Sequence, residues 1–493
     1  MVNRSTDLSI FKNFLKNPFG KTIYQKFLRI YLLTTLIGAF LLYLPISRKV
    51  SLDFFSAIFI SLSAFSNTGL TTHVTSDTFN FFGQLVILCL IQFGGLGFLT
   101  VLIFLWSWIK SGGNINVEHR RFLHFERGSF KKVESLETVK GGITVLLIAE
   151  LVGALILTVF FYFATPATQA PESLPSAKGD FGKALWYAIF HSISATNNAG
   201  FDILGQNSIM PYRHGANNIL SAVLLVESVL GGIGYPIFYD LYLWRKNQKL
   251  RRNYQVSLFT KTCVSTYFFI SLISVVLIVF FETILGLGYS NSTVLYSSDS
   301  ELGSKFDRLW NVIYTSFSAR SAGFSSIDIS KVTEETKWLL SILMFVGTSP
   351  ASTGGGIRNI TIFLILARMF FTIRGRRYLT IYNKTVSENI IADAYVVFSA
   401  ASILVMLSIF AITMSLQSRQ YKIGDAFFEA TSAFGTVGLT SGVTKSCNFL
   451  GKLTLMLLMF VGQLGISNAI LSLTNQQPKF KNARYCAETL RII

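Results

Sequence analysis

The sequence predicts an all-α polytopic membrane protein of four tandem helix–pore loop–helix repeats in a pseudo-fourfold arrangement around a central pore. Hydropathy is the first observation behind this prediction. Of the 493 residues, 51% are hydrophobic and 14% are charged, whereas soluble domains average about 25% charged residues. Apolar runs recur along the chain, and because about 20 apolar residues cross a bilayer, we predict roughly eight spans.

A motif that occurs four times is the second observation. Four segments of small and polar residues, each ending in glycine and one apolar residue, read SAFSNTGL, SATNNAGF, SARSAGF and SAFGTVGL. They occupy residues 63–70, 194–201, 318–324 and 432–439. Copies of one motif at a nearly constant spacing indicate a repeated structural unit, so we predict four such units.

Each unit is predicted as an outer helix, a short pore helix, the motif loop and an inner helix. The outer helices are predicted at 27–44, 143–163, 264–285 and 394–416, the pore helices at 53–64, 182–195, 308–319 and 425–433, and the inner helices at 81–108, 219–243, 337–371 and 450–473. The pore helices are too short to cross a bilayer. Because non-helical backbone at membrane depth must line a cavity or be buried in protein, we expect the motif loops to line a central pore.

The distribution of charge predicts the orientation of the chain. The formal net charge is +18, and lysine and arginine are concentrated in the N-terminal arm, after each inner helix and in the tail. Under the positive-inside rule this face is cytoplasmic, with both termini inside. The pattern favours contact with the lipid bilayer over binding of nucleic acid.

Catalytic groups are not indicated. The four cysteines and five histidines lack the spacing of metal ligands or of a nucleophile with its base. The sequence contains no GxxxxGK[ST] and no strand-flanked GxGxxG. We therefore expect no enzyme activity and no cofactor in this chain.

The motif loops carry the residues that a cation filter needs. Glycine reaches backbone angles at which successive carbonyl groups can face one axis, and rings of such carbonyls replace the hydration shell of a potassium ion. The C-terminal ends of the pore helices also favour a cation. The predicted filter residues are Asn67, Thr68, Gly69, Asn198, Ala199, Gly200, Ser321, Ala322, Gly323, Thr436, Val437 and Gly438.

A glycine-rich run interrupts the inner helix of repeat 3. It comprises Gly347, Thr348, Ser349, Pro350, Ala351, Ser352, Thr353, Gly354, Gly355 and Gly356. Proline and clustered glycines prevent a regular helix, and the apolar segments on either side are too short to cross alone. We predict an intramembrane gate loop at 347–358, with an ordinary loop between two helices as the alternative. Arg358 is either a functional cation within the membrane or an anchor at its cytoplasmic surface.

These predictions divide the chain into eight segments. They are a basic cytoplasmic N-terminal arm (1–26), repeat 1 (27–110), a cytoplasmic linker (111–140), repeat 2 (141–245), a second cytoplasmic linker (246–261), repeat 3 (262–376), repeat 4 (377–474) and a cytoplasmic C-terminal tail (475–493).

Four stretches carry a resemblance to a known family. They are RSAGF at 320–324, close to the family's RTAGF, the glycine-rich run at 347–358, QFGGLGF at 92–98 and GGIGYP at 231–236. On these residues the chain resembles the Trk/Ktr/HKT superfamily of potassium transporters. It is most similar to the bacterial Ktr membrane subunit (KtrB), because a Trk-type subunit carries two extra helices before the first repeat.

The resemblance implies potassium uptake across a bacterial plasma membrane, with potassium as the substrate and sodium as a candidate activator. It also implies a homodimer docked on a cytoplasmic ring of nucleotide-binding regulatory subunits, with the apolar tail segment 485–493 as a candidate dimer contact. The alternative is a secondary carrier that couples sodium or protons to another solute. Four repeats of one orientation disfavour it, because such carriers mostly use two inverted halves.

One position departs from the family pattern. Gln463 stands in the inner helix of repeat 4, where these proteins usually carry an arginine beneath the filter. This predicts a lower electrostatic barrier to cations and a weaker latch to the gate. Arg320 is family-like, and we predict that it braces its loop. Glu150, Glu227 and Glu282 are predicted to be structural hydrogen-bonding groups, with a proton relay as the alternative.

Overall fold

The computed structural model describes residues 23–97, 136–166, 176–205, 208–285, 303–416 and 421–473, and in them an outer helix, a pore helix and an inner helix follow one another four times. The outer helices 1 to 4 are Ile23–Tyr43, Leu136–Phe163, Leu258–Phe280 and Glu388–Ser415. The pore helices 1 to 4 are Phe54–Phe65, Phe181–Thr196, Lys305–Phe317 and Ile423–Gly435. The predicted N-terminal arm up to residue 22, most of the first linker and the tail beyond 473 lie outside the described residues.

The inner helices differ from the prediction. Inner helix 1 is Phe81–Leu96, and inner helices 2 to 4 are each divided into two parts: Asn218–Ile233 with Tyr235–Lys249, Glu334–Phe345 with Asn359–Ile373, and Phe449–Leu464 with Ile466–Leu473. The prediction of unbroken inner helices is wrong in repeats 2 and 4. In repeat 1 the helix ends at Leu96, and residues 98–108 of the predicted helix lie outside the described residues. Gly97, Gly234 and Gly465 have φ angles of 82°, 91° and 82°, which lie outside the helical region.

Four helices in the described part of the chain are long and apolar enough to cross a membrane. They cover Gly141–Phe163, Gly215–Ile233, Leu258–Thr283 and Glu388–Ser415. The other apolar helices have 10–17 residues. Within the described residues, unbroken spans are therefore fewer than the roughly eight that hydropathy predicts. Parts of inner helices 1, 3 and 4 are among the shorter apolar helices.

The repeats follow one another around an axis. Inner helix 1 packs against pore helix 2, inner helix 2 against pore helix 3, inner helix 3 against pore helix 4, and inner helix 4 against pore helix 1. This order closes a ring. The outer helices expose large apolar side chains such as Leu155 and Phe410, which suits contact with lipid tails.

The pore helices begin at side-chain caps and end at the motif loops. Asp53 and Asp180 each accept a hydrogen bond from the backbone three residues on, at 2.9 and 3.1 Å. Ser304 and Asp307 form a capping box, and Asp425 accepts a backbone N–H at the start of pore helix 4 at 3.0 Å. Such caps satisfy helix N-termini, where negative charge is favoured. The opposite, C-terminal ends of all four pore helices lead into the motif loops.

Short elements connect the helices. They are 3₁₀ turns at Pro45–Ser47, Met210–Tyr212, Gly215–Asn217 and Ile329–Lys331, helical turns at Thr75–Thr78 and Val443–Ser446, π-helical turns at Phe281–Leu285 and Ser318–Ala322, and the antiparallel strands Thr380–Ile381 and Lys384–Thr385. The strands form a hairpin just after inner helix 3.

Candidate ion filter and gate

Each motif loop is closed by the first serine of the motif. The carbonyl oxygens of Ser63, Ser194 and Ser432 accept the N–H five residues on, at 2.9, 2.8 and 2.9 Å. Loop 3 is one residue shorter, and there Gly323 donates to Ser318 at 3.3 Å across the π-helical turn. In repeats 2 to 4 the serine hydroxyl also bonds to the far end of the loop. In repeats 2 to 4 this serine therefore holds the loop through both its backbone carbonyl and its hydroxyl.

The structure brings the four motif glycines together in a ring. Gly69, Gly200, Gly323 and Gly438 have φ angles of 86°, 67°, 78° and 95°, which favour glycine. A Cβ atom added to any of these glycines would lie against a carbonyl oxygen of the next repeat, that of the residue just before its glycine. The pairs are Gly69 with the Ala199 oxygen (2.5 Å), Gly200 with the Ala322 oxygen (3.1 Å), Gly323 with the Val437 oxygen and Gly438 with the Thr68 oxygen. Four carbonyl oxygens thus alternate with four glycines in the cyclic order of the repeats.

The residues two places before three of these glycines connect the loops to their surroundings. Asn67, Asn198 and Thr436 have φ angles of 52°, 55° and 49°. Asn67 Nδ2 donates to the backbone of loop 2 at 2.8 Å, and Asn198 Nδ2 donates to Thr353 Oγ1 at 2.7 Å. Thr436 Oγ1 accepts the Gly355 N–H at 2.8 Å. Their side chains therefore position the loops, while the neighbouring backbone forms the ring.

A cavity of 270 Å³ lies on the side of the ring reached by the segments that follow the motifs. The four motif glycines line it together with Asp202, Asp328 and Lys445. In the predicted orientation this side is external. Burial raises the pKa of Asp202 to about 6, so its carboxyl group titrates close to physiological pH.

Cation transport is expected to decrease as the external pH falls through about 6. Above that pH Asp202 is ionised and attracts cations to the ring; below it the carboxyl is neutral. A unit charge at close range supports an effect of about two- to fivefold. Cation uptake is measured between pH 5 and 8. Asp202→Asn should remove the pH step, whereas Asp328→Asn, in the same cavity, should keep it. A step that survives in Asp202→Asn contradicts the assignment.

The glycine-rich run lies on the other side of the ring, and all of its residues from 347 to 356 are buried. Ser349 and Thr353 donate their N–H groups to inner helix 2 just before its break, and Gly356 donates to Gly462 of inner helix 4, each at 3.2 Å. A continuous helix would use such carbonyls internally. Because inner helices 2 and 4 break at Gly234 and Gly465, the carbonyl groups just before the breaks can accept hydrogen bonds from the run. The run thus bridges two inner helices beneath the filter.

Side chains tie the same run to the ends of the pore helices. Thr353 Oγ1 donates to the carbonyl of Thr196, the last residue of pore helix 2, at 3.3 Å. Gly355 N–H is held by Thr436 beside the last turn of pore helix 4. Loops that only connect helices usually lie at the surface. The burial and cross-contacts of this run are not those of an ordinary connecting loop.

Two arginines of repeat 3, Arg320 and Arg358, contact the run. Arg320 is fully buried; its Nη2 donates to the Gly347 carbonyl at 2.7 Å, and its guanidinium lies 5.0 Å from the centre of the Tyr267 ring. These contacts agree with a bracing role. Arg358 donates to the Gly354 carbonyl, so it contacts the end of the run.

Gln463 lies at the C-terminal end of pore helix 1. Its Nε2 donates to the carbonyl of Phe65, the last residue of pore helix 1, at 3.0 Å and to Gly94 of inner helix 1 at 3.4 Å. The neutral amide thus satisfies a carbonyl at the C-terminal end of a pore helix. It does so without placing a full charge there.

Gln463→Arg is expected to lower cation uptake about tenfold. A fixed positive charge close to the path of the ion costs about 1–4 kcal/mol at contact range. The measurement is initial uptake rate at matched expression. Gln463→Met, similar in size and uncharged, serves as the control and should lose much less. Equal rates for the arginine variant and the wild type would show that this position is remote from the ion path.

Two acidic residues of the spans lie in a buried polar cluster behind loop 2. Glu150 accepts hydrogen bonds from Gln92 at 3.1 and 3.2 Å and from Asn197 at 3.0 Å. Glu227 accepts one from the Ser192 hydroxyl. The cluster joins inner helix 1, outer helix 2, pore helix 2 and inner helix 2. These contacts fit the predicted structural role.

Two further acidic residues hold the segments around the ring. Glu282, in the π-helical turn, accepts from the N–H of Thr333 and from the hydroxyls of Thr333 and Thr336, and so caps inner helix 3. Sequence reasoning missed Glu429, which is buried in pore helix 4 and accepts from Thr440 at 2.7 Å. A carboxyl group in the middle of an apolar pore helix, followed by the donor-rich TSGVT, was the available signal.

These features define the class: a multi-pass helical membrane protein whose four re-entrant loops close into a ring above a buried glycine-rich segment. The TrkH family model, described as cation transport protein, matches residues 15–485. The chain therefore belongs to the TrkH family of cation transport proteins, and its resemblance to the Trk/Ktr superfamily is confirmed. It is a membrane transporter by family and not an enzyme.

Individual relatives and a solved structure agree with this membership. The chain is 31% identical to the uncharacterized cation transporter MG322 of Mycoplasma genitalium, over 97% of this chain and 98% of the relative. It is 31% identical to the Ktr system potassium uptake protein D of Bacillus subtilis, over 92% and 94%. The crystal structure of the potassium transporter TrkH from Vibrio parahaemolyticus has a similar fold, with a TM-score of 0.65 at 17% identity, over 92% of this chain and 85% of that one.

Proposed function

We propose that this protein takes up potassium ions across the plasma membrane through the ring of motif loops. The name of the Bacillus subtilis relative, a potassium uptake protein, supports potassium as the transported ion. The observation that carries the proposal is the ring itself, in which four carbonyl oxygens alternate with four glycines. Such a ring can replace the hydration shell of a potassium ion.

Electrostatics around the ring favour a cation without binding it too tightly. The C-terminal ends of four pore helices converge there and carry partial negative charge. Arg320, the one charged residue of the four motifs, donates from Nη2 to the Gly347 carbonyl, and its guanidinium lies over the Tyr267 ring. In this proposal, ion selectivity rests on the backbone carbonyls. The ions move down their electrochemical gradient.

The glycine-rich run acts as the gate in this proposal. It is hydrogen-bonded to two inner helices and to the ends of two pore helices, directly beneath the ring. Each such bond contributes about 1 kcal/mol net, so the closed position is favoured by only a few kcal/mol. A partner that binds the open form more tightly by a similar amount can open it.

The partners follow from the family resemblance. We expect a homodimer on a cytoplasmic ring of nucleotide-binding regulatory subunits, with both termini of this chain cytoplasmic and sodium as a candidate activator. Arg377, which follows inner helix 3, is exposed and suits an acidic cytoplasmic surface. The tail segment 485–493, the candidate dimer contact, lies outside the described residues.

Ion flux into liposomes that contain the purified protein tests the proposal. Potassium influx should be driven by the potassium gradient alone, and sodium should be taken up more slowly. In parallel, expression should restore growth of an uptake-deficient host at low potassium. Influx that requires a sodium or proton gradient, or that accompanies another solute, would favour the secondary carrier.

A further inference from the structure

An apolar groove of 880 Å³ lies away from the pore, between outer helix 3 and the second half of inner helix 3. Thr266 and Phe269 line one wall, Leu366 and Phe370 the other, and the hairpin after inner helix 3 closes one end. This end carries the basic residues that follow inner helix 3, so it lies at the cytoplasmic surface in the predicted orientation.

The groove offers hydrocarbon rather than polar groups to an occupant. The hydroxyl groups of Thr380 and Tyr382 lie at the hairpin end of the groove. Along the wall, those of Thr262, Ser265 and Thr266 each already donate to the carbonyl four residues back, at 2.8, 2.7 and 2.7 Å. Only the methyl and methylene surface of these residues is left for contact. The groove therefore suits an acyl chain better than a polar ligand.

Three cationic side chains stand at the mouth, on aromatic residues that line the groove. Lys261 Nζ lies 5.4 Å from the centre of the Tyr382 ring, Arg374 4.2 Å from that of Phe370, and Arg376 5.3 Å from that of Phe371. All three cations are exposed. Among the described residues, no carboxylate forms an ion pair with any of them. Their charge is thus available to an anion at the end of the groove.

The hairpin keeps this mouth in place. Its two-residue turn, Tyr382 and Asn383, has φ angles of 49° and 61°, as a tight hairpin requires. Just before it, Leu379 is fully buried in the cluster beside inner helix 3 and accepts the Val386 N–H at 2.9 Å. A mouth that is formed before binding lowers the cost of ordering it.

We propose that the groove binds an anionic phospholipid, with an acyl chain along its walls and the phosphate held by Lys261, Arg374 and Arg376. Basic pockets between helices at the cytoplasmic surface recognise anionic headgroups, and guanidinium groups match phosphate geometry. One wall of the groove is the helix that directly follows the glycine-rich run, so a bound lipid would restrain that helix. This consequence rests on the proposed function; the binding does not.

Native mass spectrometry of the detergent-solubilised protein tests the binding. Phosphatidylglycerol is titrated against phosphatidylcholine with the same acyl chains, and glycerol phosphate tests for a site that holds the phosphate alone. Wild-type protein should bind phosphatidylglycerol most tightly. Lys261→Gln, Arg374→Gln and Arg376→Gln should each weaken it about fivefold. Lys246→Gln, which removes a cation from the Tyr242 ring on inner helix 2, is the matched control and should change nothing.

A groove variant separates the two parts of the site. Ser265→Trp extends from an exposed position into the groove and leaves every charge in place, so it should weaken both phospholipids. Equal binding of the two lipids, or unchanged binding in the three charge variants, overturns the proposal. Glycerol phosphate binding as tightly as phosphatidylglycerol also overturns it. A shift from dimer to monomer in Ser265→Trp would assign the groove to a second copy of the chain and likewise overturn it.

Discussion

Gly323→Ser is expected to remove most of the preference of this protein for potassium over sodium. The side chain would overlap the Val437 carbonyl oxygen of the next repeat, and the residue would have to hold a φ of 78° that costs an L-residue about 1–2 kcal/mol. The carbonyl must move, and the ring loses its symmetry. Every 1.4 kcal/mol of lost coordination is about tenfold in affinity.

The measurement for Gly323→Ser is the ratio of potassium to sodium influx in liposomes. Gly179→Ser is the matched control: its φ is 75°, but nothing lies within 4 Å of the added Cβ atom. The control carries the same backbone strain without the contact. An unchanged ion ratio in Gly323→Ser would remove loop 3 from the filter, whereas equal damage in Gly179→Ser would point to loss of folding.

Thr353→Val is expected to raise potassium influx about five- to tenfold. The substitution keeps the shape of the side chain but removes the hydroxyl that accepts from Asn198 and donates to Thr196. Both contacts hold the glycine-rich run beneath the filter. Without these contacts the closed form is about 1–1.5 kcal/mol less stable, which shifts the equilibrium between the closed and open forms about five- to tenfold toward the open form. Initial influx rates of the purified variant give the result.

Ser352→Ala is the control for this experiment. Its hydroxyl bonds only to Thr348 and Ser349 within the run, so the contacts of the run with the pore wall remain. Influx should stay close to that of the wild type. Deletion of residues 349–355 should raise influx further. Influx that is unchanged or lower in both Thr353→Val and the deletion would mean that the run does not close the pore.

The motif loops could be predicted from the sequence because their requirement is local. A position that requires a positive φ selects glycine, so it can be recognised in the sequence. Chance does not readily explain four copies of the motif at similar spacing. The glycine-rich run was visible for the same reason, since Pro350 and its glycines cannot continue a helix. The end of inner helix 1 at Gly97 and the breaks at Gly234 and Gly465 were not visible. A glycine inside an apolar run is also common in continuous membrane helices, so hydropathy gave no signal of the change in φ.

By itself, therefore, the sequence determined the class of protein, the four loops and the position of the candidate gate. The tertiary structure decided how these parts meet. The cyclic contact of each glycine with the next repeat, the carbonyls released at Gly234 and Gly465, and the bond between Gln463 and Phe65, 398 residues apart, join segments that are distant in the chain. No local propensity encodes such contacts; they exist because four repeats close around one axis and bury their polar backbone against each other.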